Sequence, residues 1–158
     1  MGEQRKILCI ADGSHECRTA VLFGAERAMR NGSALVIMCV INSADNSLVS
    51  ALGAGVLEEL RLEALDNLQE LSQIVKQRTG IVPQLLIKEG EIHQALRECI
   101  NEDAAIKTLL LAAASSKKGP GPLVVEATRG TMALGVRPIA IMIVPEELSD
   151  SEISELAS

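Results

Sequence analysis

The sequence predicts an α/β domain built on an open parallel sheet of five strands with helices on both faces. Three observations carry this. Short apolar runs alternate with longer segments of helical periodicity, the βαβα order that builds a parallel sheet. The strand-like runs, of which "ALVIMCVI" (34 to 41) is the clearest, are apolar at successive positions, as strands covered from above and below must be. Finally, 158 residues of 47% apolar content and mean hydropathy +0.24 supply ample core for one domain.

The elements follow in order. "KILCIA" (6 to 11) is short, apolar and β-branched and gives β1. In "DGSHE" Ser14 is the expected N-cap of α1, and Glu16 sits in the first turn, where a negative charge suits the helix dipole. Cys17, Ala20, Val21, Gly24, Ala25 and Ala28 then form one stripe of small residues that lets the helix lie close on a sheet, and Gly32 in "NGS" ends it. The run 34 to 41 is β2. After the Ser-, Asn- and Gly-rich connection 42 to 55, a long helix α2 sets Leu57, Leu60, Ala64, Leu68, Leu71 and Val75 on one face and stops at Gly80. "PQLLIKEG" (83 to 90) is β3, and Ile92, Ala95, Leu96, Cys99 and Ile100 mark a short amphipathic α3. "KTLLLAAA" (107 to 114) is β4, "LVVEATRGTMAL" (123 to 134) is a short α4, and "PIAIMIVP" (138 to 145) is a last strand stopped by Pro145.

Residues 1–145 are thus expected to form the α/β domain, and 146–158 an acidic C-terminal tail. That tail carries five acids and no base, leaving the body with 16 acids against 15 bases, so the net charge of −6 belongs to the tail. A nearly neutral body with one phenylalanine and no tyrosine or tryptophan offers neither a basic surface nor a stacking platform, which speaks against nucleic acid. No run of about 18 apolar residues crosses a membrane, and "MGEQRKIL" lacks the apolar core of a secretory signal, so a cytoplasmic protein is expected. Lys6 replaces the hydroxyl of a myristoylation motif. Cys9, Cys17, Cys39 and Cys99 show no CxxC spacing, and neither His15/Cys17 nor His93/Cys99 has a zinc spacing, so no disulfide framework and no metal site is expected.

In open parallel sheets ligands bind beyond the carboxyl ends of the strands, where the strand order reverses. Two loops qualify: "ADGSH" after β1 and "AASSKKGPGP" after β4. With β1 ending in "ADGS", a Gly-rich turn after β4 and a Pro-led last strand, residues 5 to 145 resemble the universal stress proteins. The "GPGPLV" segment and the acidic "EELSDSEISEL" further resemble an alphaproteobacterial branch of that family.

The resemblance implies the strand order 3-2-1-4-5 of the adenine nucleotide alpha hydrolase-like folds. It also implies a cofactor-binding set of Asp12, Gly13, Ser14, Val40, Ala112, Ser115, Ser116, Lys117, Gly119 and Gly121, with Asp12 facing adenine. Nucleotide-binding members carry G-x2-G-x9-G-[ST] after β4, whose amides and hydroxyl hold the phosphates and ribose. Here Ala112 or Ala113 replaces the first glycine, Gly119, Gly121 and Gly130 with Thr131 have gaps of one and eight, and Pro120 and Pro122 lack an N–H. Ser115, Ser116, Lys117 and Lys118 supply hydroxyls and charge for a different anion mode; the bland alternatives are solvated loop lysines and an Asp12 that caps its own turn.

Two functions remain in view. One is a homodimeric, non-enzymatic stress-response module with a degenerate nucleotide loop. The other is an ATP- or AMP-binding protein using the Ser/Lys loop; no cofactor is assigned beyond those two candidates. No catalytic residue is expected: His15 adjoins Ser14 and Asp12, but neighbours at a helix start point apart and no second base orients the histidine. The resemblance places "PIAIMIVP" at a sheet edge, where both its faces and its hydrogen-bonding edge want cover; a dimer through residues 138 to 144 would supply it, and the bland alternative is that the acidic tail folds back over this edge.

Overall fold

The computed structural model describes residues 3–42, 53–114, 119, 121–129 and 137–158. Its elements are β1 (Lys6–Ile10), α1 (His15–Asn31), β2 (Ala34–Ile41), α2 (Ala54–Thr79), β3 (Gln84–Glu89), α3 (Ile92–Glu102), β4 (Ile106–Ala113), α4 (Pro122–Arg129), β5 (Ala140–Pro145) and α5 (Asp150–Leu156). All strand pairings are parallel and the order is β3-β2-β1-β4-β5, as expected. The expected last strand begins two residues later than its proline, and the part of α4 expected over 130 to 134 lies outside the described residues.

Local chemistry sets the helix ends. Ser14 has extended backbone (φ −77°, ψ 161°) and its Oγ accepts from the Cys17 N–H, one of the amides a helix start leaves without a partner. At the other end Gly32 takes φ 72°, a left-handed value that favours glycine, and its N–H donates to the Ala28 carbonyl. Glu91 caps α3 by accepting from the amides of His93 and Gln94, and the His93 ring bridges Glu91 and Glu126, fastening α3 to α4.

The sheet separates two apolar layers. On one face Cys9, Leu35, Ile37 and Leu110 pack with Ala20, Val21 and Phe23 of α1 and Leu68, Leu71 and Val75 of α2. On the other, Leu8, Val36, Met38, Leu109 and Leu111 pack with Leu96, Cys99 and Ile100 of α3 and Val124 of α4. The alternation along each strand therefore feeds both layers, which is why these runs read as continuously apolar. Each fully buried aliphatic side chain contributes about 1.5–3 kcal/mol. Among the described residues no helix is long and apolar enough to cross a membrane.

Residues 146–158, expected as an acidic tail, fold onto the domain. Ser149 and Glu152 form a reciprocal capping box at the start of α5, and Ile153 and Ala157, each 1% exposed, join the core layer beside α1. Arg78 at the end of α2 ties the helices together: its Nε donates to Glu26 Oε1 of α1 (2.9 Å), and its Nη2 to the Asp150 carbonyl (2.7 Å) and Ser154 Oγ (3.1 Å). The last strand also differs from expectation. Val144, 2% exposed, is buried in the α1 layer and Met142 is half-buried against it, whereas Ile141 and Ile143 on the opposite face are 38% and 39% exposed and the end residues Ala140 and Pro145 are exposed as well.

Candidate functional site

Parallel strands point all their carboxyl ends the same way, and the chain order reverses between β1 and β4. Asp12 lies just past the end of β1, at this reversal. Its Oδ1 accepts from the Ser14 N–H at 2.9 Å, closing a tight turn through Gly13 (φ 85°) into the capped start of α1. Partial burial pushes the Asp12 carboxyl upward, but hydrogen bonding from Ser14 and the Cys17 thiol outweighs it, so the net shift is downward and the group is ionised at neutral pH.

Two clefts meet at this carboxylate. The first, about 270 Å³, runs from Asp12 along the end of β2 to α2 and is lined by Cys39, Val40, Ile41, Asn42, Leu60, Glu63, Ala64 and Asn67. The second, about 190 Å³, runs from Asp12 to the end of β4 and the start of α4; Ile10, Glu16, Cys17, Leu111, Ala112, Ala114, Gly121, Pro122, Leu123 and Val124 line it. Among the described residues no lysine or arginine lines either cleft. A third cavity of about 300 Å³ takes Gly13 and Ser14 on its wall, between the first turn of α1 and Asn67, Glu70 and Leu71 of α2.

Of the site residues expected from sequence, Asp12, Val40, Ala112 and Gly121 converge on the paired clefts, whereas Gly13 and Ser14 face the cavity beside them. Gly119 has a left-handed φ of 97° and lines none of the three. Ser115, Ser116 and Lys117, with Lys118 and Pro120, lie outside the described residues. The sequence reading missed Glu63 and Asn67, which α2 carries to Asp12; the signal was two polar residues four apart, flanking the buried Ala64.

Neither of the buried thiols Cys9 and Cys17 is activated as a nucleophile. Burial raises the Cys17 thiol to about 12, with the Asp12 charge adding to the effect, and pushes the Cys9 thiol up as well, so both are protonated at neutral pH. The Ser14 hydroxyl is occupied as a helix cap.

A family model described as the universal stress protein family matches residues 3–124. None of the curated proteins matches the chain. Among solved structures, the chain is similar to the universal stress protein UspA from Lactobacillus plantarum (15% identity, TM-score 0.70, covering 91% of this chain and 99% of that one). It is similar also to a universal stress protein in complex with cAMP (15% identity, TM-score 0.64, 92% and 100%) and to one from Archaeoglobus fulgidus (15% identity, TM-score 0.62, 88% and 92%). The parallel 3-2-1-4-5 sheet with its reversal at Asp12, together with a family match over most of its length, establishes that the chain belongs to the universal stress protein family.

Proposed function

We propose that this universal stress protein is a non-catalytic, homodimeric binding module whose hold on adenine nucleotides rests on the base and little on the phosphates. The carrying observation is the contrast between the two clefts at Asp12. The cleft toward β2 and α2 combines an ionised acceptor for an exocyclic amine with apolar contact from Val40 and Ala64 and amides from Asn42 and Asn67. The cleft toward β4 has Ala112 at a place of the family's first glycine, Glu16 on its wall, and Pro122, which has no N–H to offer, at the start of α4. The two prolines of the segment, Pro120 and Pro122, each remove one charge-assisted donor of roughly 1.5–3 kcal/mol, together roughly two to four orders of magnitude in affinity. The structural neighbour in complex with cAMP supports single-phosphate adenine nucleotides as the first to try.

The dimer rests on β5, an edge strand without charge or bulge, whose Ile141 and Ile143 are exposed on the face opposite Met142 and Val144. A two-fold partner laying the same strand antiparallel covers both the edge and the isoleucines. The second reading, ATP or AMP held by Ser115, Ser116 and Lys117, draws support from the left-handed Gly119 (φ 97°) and Gly121 (φ 107°), which carry the N–H groups that the prolines beside them lack.

Thermal unfolding with magnesium-ATP at about 1 mM tests the reading: the expected rise is below roughly 5 °C. A larger rise that disappears in Lys117→Glu establishes the second reading instead. Light scattering should give twice the chain mass of 16.8 kDa, and a monomer for the Ile141→Asp/Ile143→Asp variant; a wild-type particle of 16.8 kDa refutes the dimer.

A further inference from the structure

The end of the sheet opposite the Asp12 clefts holds a second concavity. The amino ends of β1, β4 and β5 and the last turn of α1 enclose about 310 Å³ there. Arg5, Arg27 and Lys107 line it, with Asn31, Ser33 and Thr108 as neutral hydrogen-bonding groups between them, and no carboxylate among the described residues lines it. Lys6 also reaches this wall, but its Nζ lies 2.7 Å from Asp103 Oδ2 and is neutralised there. The side chains of Arg5, Arg27 and Lys107 have no ion-pair partner among the described residues.

Three uncompensated cations around one small concavity stand out in a chain of net charge −6. Like charges lining one cavity repel one another, and a concave low-dielectric wall focuses their field instead of dispersing it. The partial negative charge at the end of α1, which would oppose an anion, is capped: the amides of Gly32 and Ser33 both donate to the Ala28 carbonyl. Two guanidinium groups present paired donors that match oxyanion geometry, and the hydroxyls can complete the shell. The charges converge on one cavity and do not run along a surface, which fits a compact ligand and not a nucleic-acid backbone.

We propose that this cavity is a second ligand site, separate from the Asp12 clefts, for a small oxyanion carrying two or more negative charges, of the phosphorylated or polycarboxylate class. Isothermal titration of the full chain with inorganic pyrophosphate and with citrate, at about 150 mM salt, tests it. One equivalent should bind with a dissociation constant of about 1 mM or tighter, and Arg27→Gln and Lys107→Gln should each weaken binding at least about tenfold. Lys107 is exposed and Arg27 half-buried, and a melting temperature within about 4 °C of wild type verifies that each variant is folded. Binding of pyrophosphate alone assigns the phosphorylated class, and of citrate alone the polycarboxylate class. Failure of both probes to bind saturably, or unchanged affinity in both variants, overturns the proposal. The same titration on Asp12→Asn and Lys117→Gln locates the heat: affinity lost there and kept in Arg27→Gln belongs to the other end of the sheet and equally overturns it.

Discussion

Gly24 is where α1 comes nearest the sheet, and replacing it with alanine sets two known effects against each other. A β-carbon there would stand 2.9 Å from Cys9 Sγ, 2.9 Å from Leu110 Cδ1 and 3.2 Å from Leu35 Cδ1, well inside ordinary contact. Those three residues sit on three adjacent strands, each at most 1% exposed, so they have little room to retreat together. Overpacking of this kind costs about 1–3 kcal/mol, and its upper half applies here. Alanine is meanwhile the better helix former by about 1 kcal/mol. The expected net loss for Gly24→Ala is about 1–2 kcal/mol, or about 2–8 °C in melting temperature for a chain of this size. Gly55, inside α2, supplies the control: a β-carbon there would meet nothing within 4 Å, so Gly55→Ala feels propensity alone and should gain up to about 1 kcal/mol. Urea unfolding followed by circular dichroism measures both, with the slope unchanged. Equal stability of the two variants would refute the close approach at Gly24.

Other outcomes follow from particular contacts. Ile153→Ala should cost about 2–4 kcal/mol because the side chain is enclosed between α5 and the α1 layer; a change within about 0.5 kcal/mol would contradict the docking of α5. His93 is raised above its ordinary 6.5 by hydrogen bonding to Glu126 and Glu91, so its contribution to stability is complete below 6.5 and is lost as pH rises through the folded value. Glu91 is lowered from 4.5 to about 2, first by the His93 amide, so its contribution is present above 4.5 and is lost as pH falls toward 2. Stability should thus be greatest between those limits, and His93→Gln should flatten the upper slope; an NMR titration of the ring with a midpoint below 6.5 would contradict the bridge.

The sheet was legible because buried parallel strands have no polar face to hide, and α1 because Ser14, the small stripe and Gly32 all specify the same helix. The acidic end was not, because composition spoke of charge while the placement depends on Ile153, Ala157 and a partner, Arg78, some seventy residues away in sequence. Its one local sign was Ser149 followed three residues later by Glu152, the capping-box spacing. The site divided in the same way. Asp12 lies in a loop that the gathering of ligands beyond strand ends picks out, a consequence of topology, whereas Val40 and Ala112 came with the family resemblance. Glu63 and Asn67 arrive only through the packing of α2 on β2, and the His93 bridge only through the meeting of α3 and α4; neither pairing is written in local periodicity.

The proposed division of the Asp12 site into a base-binding cleft and a weakened phosphate side is tested most directly by calorimetric titration of the same protein with adenosine and with magnesium-ATP. If the phosphates find few donors, the two dissociation constants should agree within about tenfold, and Asp12→Asn should weaken both alike. ATP binding about a hundredfold or more tighter than adenosine would contradict the account, because that gap of about 2.7 kcal/mol requires phosphate contacts that Pro120 and Pro122, which have no N–H, do not provide.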